Sequence, residues 1–112
     1  MKKIECIVRP QRLDAVMDAA RAAGVLGMTV TEVVGFGRQR GRTETYRGAE
    51  YTIRLQPKAK VDIVAADDRV DGLVAAIAKA ARTGEVGDGK IFVLDVESAM
   101  RIRTGEHGED AI

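Results

Sequence analysis

The sequence predicts an α+β fold whose elements run strand, helix, strand, strand, helix, strand. Three observations predict it. Two runs, at 13–20 and 70–81, space their apolar residues as one face of a helix. Four short segments rich in apolar and β-branched residues bracket those runs. Glycines at 24 and 84 stand where the two helical patterns stop.

Residues 2–8 read as the first strand, with Ile4, Cys6 and Val8 on one face, although Ile7 breaks the alternation. From Gln11 the period changes, and Leu13, Val16, Met17 and Ala20 fall on one helical face. Residues 28–36 form the second strand and residues 59–66 the third. Asp67 or Asp68 is placed to cap a second helix, lined by Val70, Leu73, Val74, Ile77, Ala78 and Ala81. A glycine-dense turn then leads into a fourth strand at 91–96. This order is the ferredoxin-like pattern, two helices on one face of an antiparallel sheet. No linker or low-complexity stretch divides residues 1–112, so one domain is expected, with a polar C-terminal segment from about 97 to 112.

With 112 residues, 46% hydrophobic and 31% charged, the chain is long and apolar enough to bury a core. A net charge of +1 argues against bulk electrostatic binding to nucleic acid or an acidic membrane. The apolar runs fall short of the roughly 20 residues a spanning helix needs. The start reads as a strand and not as a signal peptide, and the single cysteine suits a reducing cytosol. Cys6 reads as core, because His107 is too isolated to pair with it as a nucleophile's base. No Ser-His-Asp set, metal-spaced cluster or compelling carboxylate pair appears, so a catalytic site is not expected.

Three segments stand out from this frame. Between the second and third strands lie about 19 residues, 37–55, where a hairpin needs only a few; connections that long are usually functional. Residues 38–54 carry five arginines against two glutamates, and both tyrosines, Tyr46 and Tyr51. An extended, solvated hairpin is the alternative, supported by the alternation of Tyr51, Ile53 and Leu55. The second segment, Thr83 to Lys90, matches glycine, four residues, Gly-Lys, but Ile91 stands where a phosphate loop needs Ser or Thr for magnesium, and the turn runs from helix to strand. What survives is local: glycines let backbone N–H groups approach an anion, and Lys90 adds a positive charge. The alternative there is a tight structural turn. A second glycine pair, Gly35 and Gly37, precedes Arg38 and Gln39, and the ends of the second and fourth strands are expected to lie near a shared edge. Third, Arg101 and Arg103 suit phosphate recognition but are not expected to fold onto their own chain's glycine loops, which suggests a subunit interface; a solvated tail is the alternative.

Taken together, MTVTEV, GFGRQRGRTETYRGAEY, TGEVGDGKIFV and RIRTGE closely resemble the PII signal-transduction family, over essentially the whole chain. The resemblance implies a homotrimer with nucleotide sites for ATP or ADP between subunits, and a long T-loop at about 37–55. It places Gly35, Gly37, Arg38 and Gln39 on one side of the site. Thr29, Val64, Thr83, Gly87, Asp88, Gly89 and Lys90 would complete much of the pocket, with Arg101 and Arg103 reaching in from the neighbouring subunit. It further implies 2-oxoglutarate bound with Mg2+ and ATP, through Arg9, Gln39, Lys58 and Gly87, with Gln39 helping to hold the metal. Tyr51 matches the tyrosine that many bacterial members carry as a uridylylation or adenylylation site, while Ala49 stands where some relatives are phosphorylated. Asp62 replaces the usual glutamate, which puts a contact to the site or to Lys58 in doubt; Gln11 replaces a common aromatic. The implied role is a cytoplasmic regulator, recruited to the membrane where its partner is an ammonium transporter. The other implied partners are acetylglutamate kinase and the nucleotidylyltransferases and sensor kinases of nitrogen control. The competing readings are a PII-like sensor of another small molecule and a slow ATP-hydrolysing enzyme built on Lys90 and the arginines.

Overall fold

A computed structural model of the chain describes residues 1–37, 42–46, 49–53 and 55–112, with the strands at 42–46 and 49–53 described by their backbone alone. The first strand, β1 (Lys2–Val8), buries Ile4, Cys6 and Val8 and leaves Lys3, Glu5 and Ile7 on the other face. A 3-10 turn at Pro10–Arg12 leads into α1 (Leu13–Ala22), where proline's fixed φ and missing N–H suit a helical first turn. The helix closes with Val25 donating to the Ala20 carbonyl at 3.0 Å around Gly24, whose φ of 93° needs a glycine.

β2 (Thr29–Gly35) follows, then a hairpin of β3 (Arg42–Tyr46) and β4 (Ala49–Ile53), then β5 (Gln56–Ala65), α2 (Val70–Ala81) and β6 (Gly89–Asp95). The four long strands form one antiparallel sheet in the order β2-β5-β1-β6. Among the described residues, β3 and β4 pair with each other, Arg42 opposite Ile53 and Tyr46 opposite Ala49. Part of the segment expected as a long loop is therefore strand, as the alternation of Tyr51 and Ile53 had suggested.

Both helices cover one face of the sheet. Ile4, Cys6, Val8, Val61 and Ile63 meet Val16 and Ala20 of α1 and Leu73 and Ile77 of α2 in a single core. Ala78, expected on that inner face, is exposed, and Val74 is half-buried. The expected cap on α2 is not made: a 3-10 turn, Asp67–Arg69, starts the helix with no side-chain cap, and Asp67 instead takes the chain's N-terminal ammonium at 2.8 Å. α2 also stops earlier than expected, at Ala81, with Arg82 extended and Gly84 further along the turn. Arg12 ties the helices together by donating from Nε (3.0 Å) and Nη2 (2.6 Å) to the Ala80 carbonyl.

No helix among the described residues covers the other face. Asp62 sits there 3.6 Å from Lys3 and 3.8 Å from Lys60, and Glu5 lies 3.4 Å from Lys60. Asp62 thus pairs with these two lysines, not with Lys58, and its Oδ1 is buried without a hydrogen bond. Phe92 and Leu94 stand exposed on the same face. After β6, backbone bonds from Arg101 to Glu106, Gly105 to Arg101 and Gly108 to Ala99 close a short turn, with Ile102 and Arg103 exposed on it. Among the described residues no helix is long and apolar enough to cross a membrane.

Candidate functional site

An open cleft of about 830 Å³ lies at the end of the sheet where β2 finishes and β6 begins. β2 and β6 occupy opposite edges of the sheet, so the shared edge expected from the sequence is not formed. What the two strands share is an end: the antiparallel registers bring Gly35, Gln56, Val8 and Gly89 to the same side. Gly35, Gly37, Lys58, Gly87, Asp88, Gly89 and Lys90 all line this cleft, which joins the two glycine segments singled out in the sequence.

The turn between α2 and β6 is built by side chains anchored elsewhere. Gly87 and Gly89 have φ of 102° and 101°, which side chains on Cα rarely tolerate. A Cβ on Gly89 would fall 1.7 Å from the Ile7 carbonyl oxygen, so the close approach of β6 to β1 here admits only glycine. The Asp88 carboxylate accepts from the Thr83 N–H (2.9 Å), the Gly84 N–H (2.8 Å), the Thr83 hydroxyl and Arg9 Nε (3.0 Å). These donors, the Thr83 hydroxyl foremost, hold the Asp88 carboxyl well below the usual carboxylate range. Arg9 also donates to the Val86 carbonyl at 2.8 Å, and Lys58 to the Gly87 carbonyl at 2.5 Å. Burial, and then the positive charge of Arg9, lower the Lys58 pKa. Arg9, Lys58 and Lys90 therefore put three cations around the turn, an arrangement that favours an anion.

Thr29 and Val64, expected in the same pocket, lie elsewhere. They line a second hollow of about 750 Å³, with Met28, Arg69 and Arg101. Thr29 and Gly35 stand at opposite ends of β2, about 20 Å apart at the rise of an extended strand. Arg101 is paired with Glu106 at 3.1 Å, and Arg103 is exposed and lines neither hollow. Arg38 and Gln39 lie outside the described residues, as does the side chain of Tyr51. Among the described residues no group of three or more His, Cys, Asp or Glu could hold a metal ion.

Ile7, Phe36 and Phe92 also line the cleft and were not picked out as site residues. The broken alternation at Ile7 was the available signal. Both phenylalanines of the chain stand exposed here, Phe36 at 78% and Phe92 at 46%, an unusual use of the residue in a chain of low aromatic content.

The family model described as "Nitrogen regulatory protein P-II" matches residues 1–106. The chain is 59% identical over 112 residues to the nitrogen regulatory protein P-II of Cereibacter sphaeroides, covering 100% of each chain. It is 58% identical to that of Pasteurella multocida and 57% to that of Microchaete diplosiphon, again over the full length of both. By the family model and these full-length relatives, the chain belongs to the nitrogen regulatory protein P-II family.

Proposed function

We propose that this chain senses ATP against ADP, together with 2-oxoglutarate, as a homotrimer whose nucleotide sites lie between subunits. The observation that carries the reading is the division of the anion-suited residues between two ends of one sheet. Gly35, Gly37 and Gly87 to Lys90 form one half; Thr29, Val64 and Arg101 lie about 20 Å away along β2 and form the other. One nucleotide cannot touch both halves of a single chain, but it can where the first half of one subunit meets the second half of the next. Thr29 and Val64 then belong with Arg101 and Arg103 as the neighbour's contribution. The uncovered sheet face supports such an assembly: it holds the Lys3, Glu5, Lys60 and Asp62 charges, a buried Asp62 oxygen without a hydrogen bond, and exposed Phe92 and Leu94.

In this reading the glycine turn and Lys90 hold phosphates, with Arg38 beside them and Arg101 and Arg103 across the interface. Bound Mg-ATP supplies a cation that a 2-oxo acid can share, so ADP supports the oxo acid poorly. Arg9 keeps donors beyond those given to Asp88 and Val86, so it retains capacity for a dicarboxylate, with the Lys58 charge beside the same turn. The segment 37–55 begins at the cleft wall, at Gly37. Ligands fixed against Gly35 and Gly37 therefore bias the root of the segment that meets partner proteins, a population shift between loop arrangements. Those partners are an ammonium transporter, acetylglutamate kinase, or the nucleotidylyltransferase and sensor kinase of nitrogen control. Nucleotidylation of Tyr51 would add bulk and charge where they dock.

Calorimetric titration of 2-oxoglutarate into the protein tests the reading. Heat is expected only with Mg-ATP present, from a particle whose light-scattering mass is three times 12.1 kDa. A monomer, or oxo-acid binding indifferent to ATP, overturns it. Sustained ATP turnover lost on Lys90→Ala would favour the enzyme reading instead.

A further inference from the structure

Resting on the nucleotide reading above, we propose that Asp88 is a positioning residue rather than a ligand: a built-in carboxylate that shapes the turn for an incoming phosphate. The two Asp88 oxygens already receive four donors. Oδ2 takes the N–H groups of Thr83 and Gly84, and Oδ1 takes the Thr83 hydroxyl and Arg9 Nε. A carboxylate has about four lone-pair sites, so this one has little capacity left for a ribose or a metal. Its negative charge would repel phosphate if it faced one directly.

The turn gains a fixed shape from these bonds. Asp88 closes residues 83–88 on themselves, and the Glu85 N–H adds a bond to the Thr83 hydroxyl at 3.2 Å. Arg9 reaches from the end of β1 to both Asp88 and the Val86 carbonyl, while Lys58 reaches from β5 to the Gly87 carbonyl. The N–H of a trans peptide points away from its own C=O. Holding the carbonyls of Val86 and Gly87 on these cations therefore turns the N–H groups of Gly87 and Asp88 away from them. Those amides, with Lys90, are what the turn offers an anion, and donors fixed in advance bind without an ordering cost.

Two accounts of Asp88 differ in sign. If its carboxylate is only a nearby charge, Asp88→Asn removes repulsion and tightens ATP binding. If it positions the turn, Asp88→Asn loosens the donors and weakens ATP binding by about tenfold or more, the scale of one lost charge-assisted hydrogen bond. The experiment is titration of the full-length parent and the D88N protein with Mg-ATP and with adenosine. Expected is a drop in ATP affinity with adenosine affinity unchanged, accompanied by faster amide exchange at residues 83–89 and unaltered exchange in β1 and β5. Thr83→Val is the second variant: it leaves the charge unchanged, so an electrostatic account predicts no effect, whereas positioning predicts weaker ATP binding with faster amide exchange at residues 84–89. Weaker binding without that exchange would mark a direct Thr83 contact and overturn the inference. Equal or tighter ATP binding by D88N, or by T83V where D88N fails to fold, overturns the inference and leaves the nucleotide reading standing. A parent protein that does not bind Mg-ATP takes both down.

Discussion

Replacement of Gly89 is tightly constrained by the structure. Gly84 and Gly89 have nearly the same φ, 91° and 101°, and both belong to the turn between α2 and β6. They differ in what surrounds them. A Cβ on Gly84 meets nothing within 4 Å, whereas one on Gly89 lands 1.7 Å from the Ile7 oxygen and 2.7 Å from the Ile7 carbonyl carbon. Gly84→Ala therefore bears only the cost of a positive φ, about 1–2 kcal/mol. Gly89→Ala bears that cost and must also push β6 off β1 at the Val8–Gly89 pair, against backbone that cannot swing aside. A total of about 3–5 kcal/mol is expected, in the range reserved for overpacking and backbone strain combined. Urea unfolding of both variants and the parent, at one protomer concentration, measures the difference. If the two alanine variants unfold within about 1 kcal/mol of each other, close approach of the strands is not what requires Gly89.

Arg12→Met removes both guanidinium bonds to the Ala80 carbonyl at the end of α2 and should cost about 1–2 kcal/mol in the same urea assay; an unchanged midpoint would show the clamp contributes nothing. Cys6 is fully buried, and burial, with the nearby Asp62 and Glu5 charges, pushes its thiol up to about 11. Disulfide reagents at pH 8 should label it only after unfolding, and stoichiometric labelling of the native protein within minutes would contradict this. The Asp88 carboxyl is held lower in the folded chain than in the unfolded one. Its contribution is thus present above the unfolded value of about 3.9 and is lost as pH falls through the folded one. Stability should therefore fall less steeply from pH 5 toward acid in D88N than in the parent; parallel curves would contradict the assignment.

Where one period governed, the fold was legible. β1 follows from its alternation and α2 from its 70, 73, 77, 81 spacing, because each has one face on the core. Ala78 was misplaced since alanine is small enough to sit on either side of a helix, so its identity carried no signal. Gln56 to Lys58 fall between the loop expected to end at 55 and the strand expected from 59. They nevertheless belong to β5, as β1 pairing ends at Ala59 and the missing Pro57 N–H forfeits no bond on that side. The glycine turn was legible in the sequence from its residue types. The division of site residues between two hollows was not, since which end of a strand a residue occupies depends on register. Register also hid the partners of Asp62, which the sheet sets beside Lys3 and Lys60. The anchoring role of Asp88 left a faint trace, an aspartate five residues after a threonine in a glycine turn, a spacing open to local side-chain bonds.

The central claim is that each site is completed by two subunits, and mixing defective subunits tests it most directly. A Lys90→Ala chain carries a damaged glycine-turn half, and an Arg101→Ala/Arg103→Ala chain a damaged arginine half. Each alone should bind Mg-ATP weakly. After the two are unfolded together and refolded, mixed trimers should regain one intact site each, with affinity equal to the parent's. If the mixture binds no better than its components, while mass analysis shows that mixed assemblies have formed, the site is not shared between subunits.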